Sequence, residues 1–118
     1  MDFGMAIVAL KRGLCVARRG WNGKGMFLTL QEGSEVSGEL MRNEGAKHYY
    51  GKSMVTIGAH IDMKASDGTY VVGWLASQTD MLAEDWGIVE PAPLSEEVFV
   101  RVCKKDDGIQ AEEGIKGE

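Results

Sequence analysis

Two short turn signals constrain this chain more than any other feature: Asn22-Gly23 and Asp67-Gly68 each sit between apolar runs. Asn, Asp and Gly tolerate the positive φ of tight reversals, so each pair predicts a β-hairpin. Upstream of the first pair, Leu14 to Arg19 is apolar and then basic and reads as a strand; Met26 to Leu30 reads as its partner. Trp21 and Phe27 then flank the turn, with Arg18 and Arg19 just before it. Around the second pair, residues 53–64 alternate: Val55, Ile57, Ala59, Ile61 and Met63 on one side, Thr56, Gly58, His60, Asp62 and Lys64 on the other. That is the period of a strand with one buried face, and Tyr70 to Trp74 returns beside it.

Helical signals are fewer. Asp2 can cap a first helix in which Phe3, Ala6, Ile7 and Leu10 recur at i, i+3, i+4, i+7. Lys11 and Arg12 suit its last turn, and Gly13 is a natural stop. Ser77, with Asp80 three residues on, resembles a capping box and predicts a short helix through Met81, Leu82 and Asp85. Trp86 to Val89 reads as the last strand of the core, before Pro91 and Pro93 break the chain. Residues 31–52 are weakly patterned and read as a loop or irregular excursion, conspicuous only for Lys47, His48, Tyr49 and Tyr50. The expected fold is a small single α+β domain: an N-terminal helix packed on an antiparallel sheet built from hairpins, with one further short helix. Residues 1–91 form the core domain. Residues 92–118 form an extension, with one added strand at 95–103 and a polar tail at 104–118 expected to be disordered.

At 118 residues the chain buries a modest core, so an oligomer that shares apolar surface is expected. No stretch approaches the roughly 20 apolar residues of a membrane span, and no secretory signal is evident. Cys15 and Cys103 form no framework, which makes a reducing cytoplasm the default. The net charge of −5 hides an asymmetry: residues 1–30 carry five basic groups against Asp2 alone, and residues 84–118 carry ten acidic groups against four basic ones. This basic surplus is too small for a nucleic-acid backbone and suits one or two phosphates.

The residues for bond-breaking chemistry are scarce. His48 and His60 are the only histidines, with no HxxxH pair and no Cys–His cluster. His60 and Asp62 share a strand face, and a surface or interface histidine is the simpler reading. There is no GxSxG elbow. Asp62, Asp80, Glu84 and Asp85 are the acid–base candidates, but adjacent Glu84 and Asp85 on a helix do not face one another. What remains suits gripping a ligand. The glycines of Gly20-Trp21-Asn22-Gly23-Lys24-Gly25 let a ligand approach the backbone, Lys24 can meet a phosphate, and Trp21 or Phe27 can stack on a base. No metal, cofactor or catalytic residue is assigned.

These same residues carry a resemblance. The opening Asp2-Phe3-Gly4-Met5-Ala6, the stretch Val16 to Phe27, the block His60 to Lys64, Asp67-Gly68, and Trp74 to Trp86 together resemble the Thoeris anti-defence 2 family of small phage and prophage proteins. The resemblance covers about residues 1–30 and 53–90 and implies a sponge. Such proteins bind cyclic ADP-ribose isomers made by bacterial TIR-domain proteins, chiefly glycocyclic ADP-ribose, and hold them uncleaved, so that the Thoeris effector is not activated. Some members also hold cyclic dinucleotides in a separate pocket, and the family assembles as tetramers with pockets shared between protomers. Carried onto this sequence, the resemblance implies that Trp21 and Phe27 line the pocket or stack on the base. Asn22, Lys24 and the neighbouring turn amides would meet phosphate or ribose, and Arg19 (or Arg18) would neutralise the pyrophosphate. Ser77, Gln78, Thr79 and Asp80 would contact ribose and phosphate, with Asp80 on the sugar. The setting would be the bacterial host cytoplasm, with no nucleic-acid or membrane partner. Two rival readings stay open: an enzyme that hydrolyses a nucleotide, and a protein-binding phage module anchored by Tyr49, Tyr50 and Trp86.

Overall fold

A computed structural model describes residues 1–21 and 23–93; the strand expected at 95–103, the tail and Cys103 lie outside the described residues. Helix α1 (Phe3–Lys11) starts where expected, because the Asp2 carboxylate accepts the Met5 N–H at 2.9 Å. It buries Ala6, Ala9 and Leu10 and ends before Gly13, whose φ of 86° turns the chain. Phe3 and Ile7 pack against the same cluster.

Strands β1 (Cys15–Arg18), β2 (Phe27–Gln31), β5 (His60–Lys64), β6 (Tyr70–Val71) and β7 (Trp86–Val89) form one antiparallel sheet in the order β6-β5-β2-β1-β7. The fold is the α+β arrangement expected, with α1 packed on β1, β2 and β7. Val16 and Leu28 lie opposite each other, and both are fully buried. Leu30, Ile61 and Met63 extend this face, and Trp86 closes it from β7. Side chains one residue away point to the other face.

Two expectations are corrected in the middle of the chain. Residues 31–52 are ordered into elements: strand β3 (Ser34–Ser37), a 3-10 turn at Gly38–Leu40, and helix α2 (Glu44–Tyr50), which Asn43 caps by accepting the Ala46 N–H at 3.0 Å. α2 buries none of its residues, which is why no apolar stripe announces it. The alternating run 53–64 is two strands, not one. It breaks at Gly58 and Ala59, so that β4 (Met54–Ile57) pairs with β3 in a separate two-stranded sheet while β5 joins the main one. Alternation specifies faces and is blind to a break that keeps the phase.

Gly38 is where this excursion folds on itself. A Cβ there would lie 2.5 Å from the Gly51 carbonyl oxygen and 2.6 Å from the Tyr50 Cβ. Gly38→Ala is therefore expected to destabilise the protein by about 1–3 kcal/mol through overpacking. A urea midpoint equal to that of the unmodified protein would show that the excursion relaxes freely around residue 38.

The second turn forms as expected. Ala65 N–H donates to the Thr69 carbonyl, Gly68 has a φ of 96°, and the Asp67 carboxylate accepts both the N–H and the hydroxyl of Thr69. Helix α3 (Gln78–Leu82) begins in the capping box read from Ser77 and Asp80. It ends at Leu82, so Asp85 stands in the link to β7 and not on the helix.

Candidate functional site

The site is built from the connection between β1 and β2. This connection is wider than a two-residue turn: a 3-10 turn at Arg19–Trp21 is followed by Gly23 and Gly25, with φ of 64° and 76°. Asp85 fastens it. Its Oδ1 accepts from Arg18 Nε at 2.8 Å, its Oδ2 from the Gly20 N–H at 2.7 Å, and its carbonyl from the Arg19 N–H at 3.0 Å. A Cβ on Gly20 would fall 2.9 Å from Asp85 Oδ2, so glycine is what lets the carboxylate close on the backbone. The Arg18 guanidinium also donates from Nη1 to Asp80 Oδ1 at 2.9 Å. Arg18 thus bridges the loop to the start of α3 and to the link before β7.

The Arg18 guanidinium, then the Gly20 N–H, hold the Asp85 carboxyl below the usual carboxylate range, and Asp85 in turn raises Arg18. A depressed folded-state pKa contributes stability that is complete above the unfolded value of about 3.9. That stability is lost as pH falls through the lowered folded value. The melting temperature is therefore expected to drop less steeply in Asp85→Asn than in the unmodified protein as pH is lowered from neutral into this acid range. Asp67, lowered by the Thr69 N–H, keeps part of the acid dependence in both. Parallel melting curves against pH would show that Asp85 is not a stabilising carboxylate.

Beside this loop, on the sheet face away from α1, lies a cleft of about 900 Å³, at the upper end of ordinary small-ligand sites. Its floor is one row across four strands. Phe27 pairs with Lys64, Ala17 pairs with Gly87, and the register of Val16 with Leu28 puts Ala17 beside Phe27. The row therefore runs from a cation through an aromatic ring to two small residues that leave room. Arg19, Trp21, Gly23, Lys24 and Gly25 form one wall; Glu84, Asp85 and the segment Val89 to Pro93 border the other.

Of the sequence-assigned residues, Arg19, Trp21, Lys24 and Phe27 are brought together here. Asn22 lies outside the described residues. Trp21 is half-buried, with its ring edge-to-face on Trp86 at 5.4 Å. Ser77, Gln78, Thr79 and Asp80 lie at the start of α3 and do not line the cleft. The Asp80 carboxylate is committed to the Ser77 N–H and hydroxyl and to Arg18. Arg18 is likewise committed to two carboxylates, which leaves Arg19, Lys24 and Lys64 as the cleft's side-chain cations outside any ion pair among the described residues.

Lys64, Ala17 and Gly87 escaped the sequence reading, because nothing in the sequence gives the register that aligns them with Phe27. His60 Nδ1 lies 2.9 Å from the Gly58 carbonyl, and its Nε2 lies 3.5 Å from the buried Asp62, which also accepts the Gly73 N–H. Among the described residues no cluster of three metal-ligating side chains occurs, and no helix is long and apolar enough to cross a membrane.

Comparison with known proteins places this architecture. Residues 1–89, ending on the last residue of β7, match the family model described as the Thoeris anti-defense 2-like domain. The chain is also 40% identical over 89 residues to Thoeris anti-defense 2 of Bacillus phage SP01, a match spanning 75% of this chain and 94% of that relative. The loop, the sheet row and the Arg18 tie all fall within the matched span, and the chain belongs to the Thoeris anti-defense 2-like domain family.

Proposed function

We propose that the protein counters Thoeris defence as a sponge. It binds cyclic ADP-ribose-type signals, chiefly glycocyclic isomers, and holds them uncleaved. The observation that carries this reading is the composition of the cleft: aromatic rings of Trp21 and Phe27, cations of Arg19, Lys24 and Lys64, and an exposed, glycine-rich wall. Such a surface can stack a base and neutralise a diphosphate in one compact ligand. Family membership supports the anti-Thoeris role.

Holding the ligand intact is supported by the state of Asp85. It is locked to Arg18 and Gly20 and titrates below the ordinary range, so at neutral pH it is a poor proton donor and a weak base. Assembly into a homotetramer belongs to the same reading. Exposed Met5 and Val8 on α1, and Met81 and Leu82 on α3, offer apolar surface for it. The expected setting is the host bacterial cytoplasm, and a second pocket for cyclic dinucleotides remains part of the reading.

Calorimetric titration of the purified protein with glycocyclic ADP-ribose tests binding directly. Saturable binding is expected, and heats equal to dilution would remove the reading. Light scattering tests the tetramer, and a mass of one chain would remove it.

A further inference from the structure

We propose that Lys64 is a ligand-recognition residue of the cleft, supplying the strand-borne positive charge that holds the ligand's diphosphate while steadying the glycine loop above it. This inference rests on the functional reading above and gives one of its three cations a specific role. Three observations converge on Lys64. It heads the floor row, directly opposite Phe27 across the β2–β5 ladder, where facing side chains stand about 5 Å apart at Cβ. A base stacked on Phe27 would therefore bring its attached phosphates within reach of the Lys64 ammonium.

Among the described residues, Lys64 is also the only cleft cation outside an ion pair that is carried by a strand and is half-buried; Arg19 and Lys24 are exposed and ride on the loop. No carboxylate among the described residues lies within ion-pair distance of its Nζ. Finally, that Nζ donates to the Gly25 carbonyl at 3.2 Å, a carbonyl presented by a backbone with φ of 76°. A Cβ at Gly25 would come within 3.3 Å of the same nitrogen, so the glycine admits the ammonium to this position. An ammonium has three donors, and one bond to Gly25 leaves two for a ligand.

The loop contact and the charge are separable. Gln keeps a donor for the Gly25 carbonyl and has no charge; Arg keeps the charge. Glycocyclic ADP-ribose is titrated into the full-length protein and into Lys64→Gln and Lys64→Arg, with melting temperature measured for each. Charge-assisted contacts to phosphate are roughly twice as strong as neutral ones. Affinity is expected to fall about 10- to 100-fold in Lys64→Gln and to stay within about fivefold in Lys64→Arg, with melting temperatures unchanged. Unmodified protein that binds together with Lys64→Gln that binds equally well overturns the role of Lys64 and leaves the sponge standing. Equal losses in both variants assign Lys64 to loop geometry alone and overturn its role as a phosphate contact. Unmodified protein that does not bind overturns the functional reading and the inference with it.

Discussion

Trp86→Ala is expected to cost about 3–5 kcal/mol of folding stability, a large share of the roughly 5–15 kcal/mol available to a domain. Trp86 is 3% exposed and lies at the centre of an aromatic cluster, with ring centroids 5.3 Å from Phe3, 5.4 Å from Trp21 and 6.3 Å from Trp74. Its indole N–H donates to the Asp80 carbonyl at 2.9 Å, and its backbone N–H to the Met1 carbonyl at 3.1 Å. The ring thus joins α1, the loop before β2, the turn after β6 and α3. Truncation would leave a cavity bordered by three other aromatic rings, and an Asp80 carbonyl held only by the long 3.4 Å bond from the Ala83 N–H. Urea unfolding followed by circular dichroism measures the loss. A decrease below about 1 kcal/mol would show that the cluster collapses around the gap and does not act as the core's keystone.

Removing the cleft's aromatic rings should produce the largest effect on binding. Stacking is worth about 1–3 kcal/mol per base, so Phe27→Ala is expected to weaken glycocyclic ADP-ribose binding by about 10- to 100-fold. Phe27 points away from the α1 face, so the melting temperature should move little. Trp21→Ala should weaken binding by a similar factor and also lower the melting temperature, because its ring rests on Trp86. The double variant should lose more than 100-fold if each ring contacts the ligand. Calorimetry on the three variants decides. Unchanged affinity with the fold intact would remove stacking at this cleft, whatever else the protein binds.

The sequence reveals α1 well, because Asp2, the apolar i, i+3, i+4, i+7 set and Gly13 agree on one helix. The Ser77–Asp80 capping box and the Asp67-Gly68 turn are legible for the same reason: each is a local hydrogen-bond pattern made by neighbouring residues. α2 is not legible, since it buries no residue and carries no stripe. The break at Gly58 and Ala59 is hidden because the alternation resumes in phase on its far side.

At the site, the local half is readable and the non-local half is not. Arg19, Trp21, Lys24 and Phe27 fall within one short, glycine-punctuated stretch, so composition alone groups them. Lys64, Ala17 and Gly87 reach the same cleft through strand register, and the Arg18–Asp85 tie joins residues 67 positions apart. That tie also reverses the apparent role of one residue. Arg18 looks like a phosphate contact in sequence and is, in the fold, the counter-charge of two carboxylates.

Sequestration without cleavage is tested by retention of the ligand followed by its release. Purified protein in excess is mixed with glycocyclic ADP-ribose and removed by filtration, and the retained protein is then heat-denatured. Mass-resolved chromatography identifies what the protein took up and what it gives back. A sponge depletes the ligand from the filtrate and returns the same, unchanged molecule on denaturation. Recovery of a cleaved or isomerised product would contradict it and make the protein an enzyme.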